Sequence, residues 1–252
     1  MPAAVVQAEP IPFDQLNLAP ELALGVQDRG FTETTSIQTA VFPIVTAHRD
    51  LIASAETGSG KTAAYLLPAL NRMLNADRAS KTTTPRPTKM LVLGPTRELV
   101  VQIEDDLQGF VYHTSLTSAA IFGGTPMGPQ MQALSAGVDV IVATPGRLLD
   151  HLRSGAPTFE GLETLVLDEA DRMLDMGFWP DASSRTCHTA DKLMGPAVRL
   201  CCSRQLFRTG CSLHSKSWPT TPHTYRLVVA EHQPMVSPTR WNECRHHVRP
   251  AG

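Results

Sequence analysis

The stretch AETGSGKT, Ala55 to Thr62, limits what this chain can fold into more than any other. An apolar run, Leu51 to Ala53, precedes it, and a helix-like run from Ala63 to Leu74 follows. Strand, Gly-rich loop and helix in that order form a phosphate cradle. Gly58 and Gly60 let backbone N–H groups turn inward on phosphate oxygens, Lys61 adds a point charge at the outer phosphates, and the Thr62 hydroxyl is a ligand for Mg²⁺. The usual pattern opens with Gly six residues before the lysine, where this chain has Ala55. The loop predicts a nucleotide site, against the alternative of an ordinary Gly-rich turn, and does not say which nucleotide.

Further apolar runs suited to strands buried on both faces lie at 51–54, 90–94, 118–122, 138–143 and 164–168, and helix-like segments lie at 63–75, 97–112, 127–136 and 146–153. Strands alternating with helices predict an α/β fold: a parallel sheet with right-handed crossovers and helices on both faces. Two shorter helices are expected at 16–29 and 37–47, after a Pro-containing flexible arm over 1–12. The polar segment 76–88 reads as a surface loop.

The second strong signal is LVLDEAD, Leu165 to Asp171, an apolar strand ending in carboxylates. Asp168, at a strand end near the phosphate loop, can hold Mg²⁺ through water. Glu169 is placed to orient and deprotonate a water attacking a γ-phosphate. The bland alternative is a solvated acidic helix start.

At this point residues 11–181 resemble the DEAD-box ATP-dependent RNA helicases of bacterial type, specifically their first RecA-like domain. GFTETTSIQ, Gly30 to Gln38, resembles the Q motif, and Phe13 resembles the isolated aromatic upstream of it. The resemblance implies that Phe31 stacks on adenine and Gln38 hydrogen-bonds its edge. AETGSGKT matches the family's first motif, Ala55 included. ATP is thus implied as ligand of Ala55, Thr57, Gly58, Ser59, Gly60, Lys61 and Thr62, with Mg²⁺ on Thr62 and Asp168. Lys61, Asp168 and Glu169 are the implied catalytic set. PTREL (Pro95, Thr96 and Arg97 within it), the pair Gly123 and Gly124, and TPGR (Thr144, Pro145, Gly146 and Arg147) resemble the elements that hold one RNA strand regardless of its sequence. These follow expected strands, where loops and helix N-termini grip phosphates and sugars. Alone, Gly123 and Gly124 read as a turn and Arg97 as a solvated charge. The Q motif departs from the common form, with Thr34 and Ser36 in place of Pro, which predicts a less preorganised loop.

After Asp181 the chain changes character. Residues 1–181 carry 12 Lys and Arg against 21 Asp and Glu, whereas 182–252 carry 10 against 3 and hold all five Cys. The resemblance implies a further strand ending in Ser-Ala-Thr, against which Asp171 braces, and then a second RecA-like domain. Neither is written here, and 71 residues are too few for a domain of about 150 to 200. The expectation is a truncated chain with a mostly irregular tail over 182–252. Back-translation of Leu200 to Arg208 (LCCSRQLFR), read from the last base of Leu200, permits LLFSAT followed by Val or Ile, Pro and Asp, so the tail reads as an out-of-frame translation. The strand that the tail replaces belongs between the phosphate-loop strand and the acidic-motif strand. A marginal fold follows unless 197–202 (AVRLCC) or, less well placed, 225–230 (YRLVVA) substitutes for it. A metal site from Cys201, Cys202, Cys211 and His214 lacks paired spacing, while the basic tail suits non-specific phosphate binding.

The expected function is ATP hydrolysis coupled to RNA binding and strand separation, with unwinding absent from this chain alone. The alternatives are a non-catalytic nucleotide- or RNA-binding fragment, an inert product, or a DNA-translocating relative, the last disfavoured by the Q motif. With no apolar run long enough to span a membrane and no basic, apolar leader at the start, the expected location is cytoplasmic.

Overall fold

The computed structural model describes residues 4–5, 8–77, 87–155, 157, 159–176, 198–203 and 225–228. Residues 78–86 of the linker expected over 76–88 and most of the tail, Cys211 and His214 included, lie outside them, while Ala76 and Asp77 continue the preceding helix.

Eight described strands form one parallel sheet: β1 (Ala4–Val5), β2 (Leu51–Ser54), β3 (Met90–Leu93), β4 (Ser118–Ile121), β5 (Val140–Ala143), β6 (Thr164–Leu167), β7 (Val198–Ser203) and β8 (Tyr225–Val228). Their order across the sheet is β1-β8-β2-β7-β6-β3-β5-β4. The helices are α1 (Pro20–Asp28), α2 (Ser36–Thr46), α3 (Lys61–Asp77), α4 (Arg97–Val111), α5 (Met127–Ala136), α6 (Pro145–Arg153) and α7 (Ala170–Asp175), with a 3-10 turn over Phe13–Leu16.

The apolar runs of β3, β5 and β6 serve two cores at once, because successive strand residues point to opposite faces. Met90, Val92, Val140, Val142 and Val166 pack with α1 to α4 on one face. Leu91, Ile141, Ala143, Leu165 and Leu167 pack with Leu134 of α5, Leu148 of α6 and Met173 of α7 on the other. This is why those strands read as continuous apolar runs rather than alternating ones. On the first face α1 crosses α4 so closely that a Cβ on Gly25 would stand 2.2 Å from the Phe110 carbonyl oxygen, so only glycine permits the contact.

The tail supplies the strand expected in the middle of the sheet. β7 pairs with β2 (Leu51 with Leu200, Ser54 with Ser203) and, on its other side, with β6 (Thr164 with Val198, Leu167 with Cys201). The second segment, β8, also joins, on the far side of β2, with Leu51 opposite Tyr225. The sheet is therefore not open at its centre, and the tail forms strands at these two places.

Contacts of the arm and of the Q-motif loop bear on two sequence expectations. The arm over 1–12 is tied down in its described part. Ala4–Val5 pairs with β8, and the Ile11 N–H donates to Thr34 Oγ1 at 2.8 Å while the Thr34 N–H donates to the Ile11 carbonyl at 2.8 Å. The same contacts show that Thr34, in the place of the usual Pro, does not leave the Q-motif loop loose. Its side chain is buried and its hydroxyl lies 2.6 Å from Thr39 Oγ1, so hydrogen bonds fix the loop where a ring would have fixed φ.

Candidate functional site

All the described strands are parallel, so their C-terminal ends share one edge, and the expected site residues gather along it. The phosphate loop leaves β2. The acidic motif leaves β6, two strand spacings away, or about 10 Å. PTREL leaves β3, the Gly123–Gly124 turn leaves β4 and TPGR leaves β5. The sheet order thus places the nucleotide residues on one stretch of the edge and the three RNA-type turns on the next.

The phosphate loop is closed on itself. Lys61 Nζ donates to the Ala55 carbonyl at 2.7 Å and to the Glu56 carbonyl, and Ser59 Oγ donates to the Glu56 carbonyl at 2.7 Å. Thr57 and Gly58 are exposed, while Thr62 is half-buried in the first turn of α3. Gly58 and Gly60 have φ of 81° and 84°, and a Cβ on Gly60 would meet Gln38 Nε2 at 2.5 Å. Glycine at 60 is needed both for its left-handed backbone and for this approach.

Gln38 is buried, and both ends of its amide are engaged. Nε2 donates to the Gly60 carbonyl at 3.2 Å, and Oε1 accepts from the Thr35 N–H at 2.9 Å. Thr35 Oγ1 donates to the Ser59 carbonyl at 2.7 Å. Thr35 and Gln38 are also the two halves of a capping box that opens α2. In this state Gln38 clamps the phosphate loop rather than presenting an amide edge, a role the motif alone did not reveal. The T-x-x-Q spacing was the available signal. Phe31, half-buried, stands edge-on between Phe13 at 5.8 Å and Phe110 at 5.6 Å, and Phe13 itself is buried in the core.

Asp168 is buried at the end of β6. Tyr65 Oη donates to its Oδ2 at 3.0 Å and the Glu169 N–H donates to its Oδ1 at 2.9 Å. Burial raises its pKa, and the Tyr65 and Glu169 hydrogen bonds and the charge of Lys61 only partly oppose that. Tyr65, one helical turn after Lys61, went unnoticed in the sequence. Its only signal was a phenol on an otherwise apolar helix face, which needs a partner when buried. Glu169 has φ of 50°, a left-handed backbone unusual for a non-glycine residue, of the kind that concentrates at functional turns. Its Oε2 accepts from Arg172 Nη1 at 3.4 Å. Asp171 Oδ1 accepts from the Arg172 N–H at 3.1 Å. Among the described residues no group of three His, Cys, Asp or Glu side chains could hold a metal ion.

The RNA-type elements form a second cluster. Thr96 caps α4, accepting from the Leu99 N–H at 3.3 Å, and Pro95 beside it is buried. The Arg97 guanidinium lies 5.0 Å from the Phe122 ring centroid and against Gly124. Thr144 is the N-cap residue of α6 and Pro145 its first residue. Arg147 Nη1 donates to the Thr125 carbonyl at 2.9 Å, while Gly123, Gly124 and Gly146 are exposed. The three turns therefore touch one another through their arginines.

The chain matches the family model described as DEAD/DEAH box helicase over residues 35–201. It is 45% identical over 168 residues to DEAD-box ATP-dependent RNA helicase 30 of Arabidopsis thaliana, a match covering 67% of this chain and 28% of that protein. It is 44% identical over 169 residues to ATP-dependent RNA helicase SrmB of Escherichia coli, covering 67% of this chain and 37% of SrmB. Among solved structures it is similar to a DEAD box protein from Methanococcus jannaschii, with a TM-score of 0.71 and 30% identity over 87% of this chain and 56% of that one. The chain thus spans about a third of the length of these two curated relatives.

Proposed function

The chain belongs to the DEAD/DEAH box helicase family, and on that premise we propose that it carries the ATP site and half of the RNA grip of an ATP-dependent RNA helicase. The observation that best supports this is the shared edge, where the phosphate loop, the buried Asp168 and the three interlocked turns follow one another along the ends of parallel strands.

ATP enters by displacing protein from protein. Its phosphates take the Lys61 ammonium from the Ala55 and Glu56 carbonyls, and its adenine competes for the Gln38 amide and packs near Phe31. Thr62 and Asp168 are the residues that would hold Mg²⁺. One hydroxyl and one carboxylate suit an ion that keeps several waters and takes phosphate oxygens as ligands, and a carboxylate buried against its own ionisation gains most from a cation beside it. When bound, the ion neutralises charge on the phosphates. Glu169 orients a water and takes its proton as the water oxygen attacks the γ-phosphorus and ADP departs. Arg97, Arg147 and the exposed glycine turns hold the phosphates and sugars of one RNA strand without reading its bases. The setting is cytoplasmic.

These 252 residues alone bind ATP weakly and do not unwind RNA. Lys61 and Gln38 must first give up internal bonds, and an arginine finger, worth about 10³ to 10⁵ in rate in related phosphoryl transfer, comes from elsewhere. The test is equilibrium binding of a fluorescent ATP analogue and of single-stranded RNA, together with ATPase assays with and without that RNA. Saturable binding of both ligands without RNA-stimulated turnover is expected. RNA-stimulated turnover would mean a self-sufficient enzyme, and failure to bind either ligand would mean an inert product.

A further inference from the structure

We propose that Gln130 and His151, outside every motif used so far, are positioning residues that hold the Gly123–Gly124 turn and the start of α6 in the relative placement that one RNA strand requires. This rests on the RNA reading of those turns. Gln130, on α5, is buried, and its Nε2 donates to the Phe122 carbonyl at 3.0 Å and to Thr125 Oγ1 at 2.6 Å. Thr125 Oγ1 in turn donates to the Phe122 carbonyl at 3.2 Å. The turn between β4 and α5 is therefore pinned at both ends by one amide. Arg97 lies over the ring of Phe122 and Arg147 donates to the carbonyl of Thr125, so both RNA-type arginines are referenced to the segment that Gln130 fixes.

The Gln130 Oε1 can only accept, and the atom facing it is Nε2 of His151 at 3.3 Å. His151 therefore carries a proton on Nε2. The ring is fully buried and its Nδ1 has no hydrogen-bond partner among the described residues, a cost that an apolar residue of similar size would avoid. His151 also lies four residues after Arg147, one turn along the same face of α6. A buried donor kept at that cost, aimed at the amide that pins the neighbouring turn, is accounted for by the turn's geometry rather than by packing.

The test measures the affinity of the full 252-residue chain for fluorescein-labelled oligouridine, its affinity for a fluorescent ATP analogue, and its melting temperature. Gln130→Leu and His151→Leu are each expected to weaken RNA binding about tenfold, the equivalent of one lost hydrogen bond. Nucleotide affinity should stay unchanged, and the double variant should weaken binding no further than either single one. His151→Gln, which restores an N–H donor, should recover most of the RNA affinity even if melting stays lowered. If the leucine variants do not fold, Thr125→Val, on the turn itself, removes the same link and is expected to weaken RNA binding similarly. RNA affinity unchanged in the folded variants, or falling in parallel with nucleotide affinity and without rescue by His151→Gln, overturns the inference alone. An unaltered chain that binds no RNA overturns the reading of the turns as well.

Discussion

At the scale of single residues, the site is built from side chains that bond to the protein first. Tyr65 and Asp168 illustrate the energetics. Phenylalanine at 65 keeps the packing but leaves Asp168 Oδ2 without its phenol donor, so Tyr65→Phe is expected to lower stability by about 0.5 to 2 kcal/mol. Urea unfolding of the two proteins measures this, and superimposable curves would mean that the bond contributes nothing. His151 gives a pH effect of definite sign. Burial, and then the nearby Arg147, lower its pKa below the unfolded value, with Asp150 acting the other way. Above the unfolded value near 6.5 neither state is protonated and stability is complete. As pH falls below it, the unfolded chain takes up the proton first and stability is lost. His48 acts in the same direction, so the comparison must be with a variant. His151→Gln should lose less stability between about pH 7 and pH 5 than the unaltered chain, as read by urea midpoints at each pH.

At the scale of elements, the five strands within 51–167 and the helices between them were legible because each strand is a mostly apolar run, and three helices of the chain carry a start signal of their own: Thr35 with Gln38 before α2, Thr96 before α4, Pro145 opening α6. β7 was legible only as a conditional, an apolar stretch with a vacancy to fill. Its burden is large because it hydrogen-bonds to strands on both sides. Leu200, opposite Leu51 on one side and Val166 on the other, is the test position. Leu200→Pro removes a ladder N–H from the middle of the sheet and should cost at least about 1 to 3 kcal/mol out of a total near 5 to 15. The expected result is a clear fall in melting temperature by circular dichroism. An unchanged melt would mean that the sheet stands without β7.

At the scale of the whole molecule, the charge asymmetry and the cysteines confined to 182–252 predict that the coding DNA over 200–208, read one frame over, spells a Leu-Leu-Phe-Ser-Ala-Thr segment. Sequencing that stretch decides it, and any other shifted translation removes the idea. The sequence by itself determined the class of fold, the phosphate loop, the acidic motif and the order of the RNA-type turns, because each is a local pattern: strand, turn and helix adjacent in the chain, with glycine or a carboxylate where a ligand needs one. Only the tertiary structure decided what those residues touch. Gln38 and Gly60, Tyr65 and Asp168, Gln130 and His151 are separated by 22, 103 and 21 residues, and none of these contacts has a sequence period. They exist because parallel strands bring distant turns to one edge, where buried polar groups must find partners or leave an uncompensated cost.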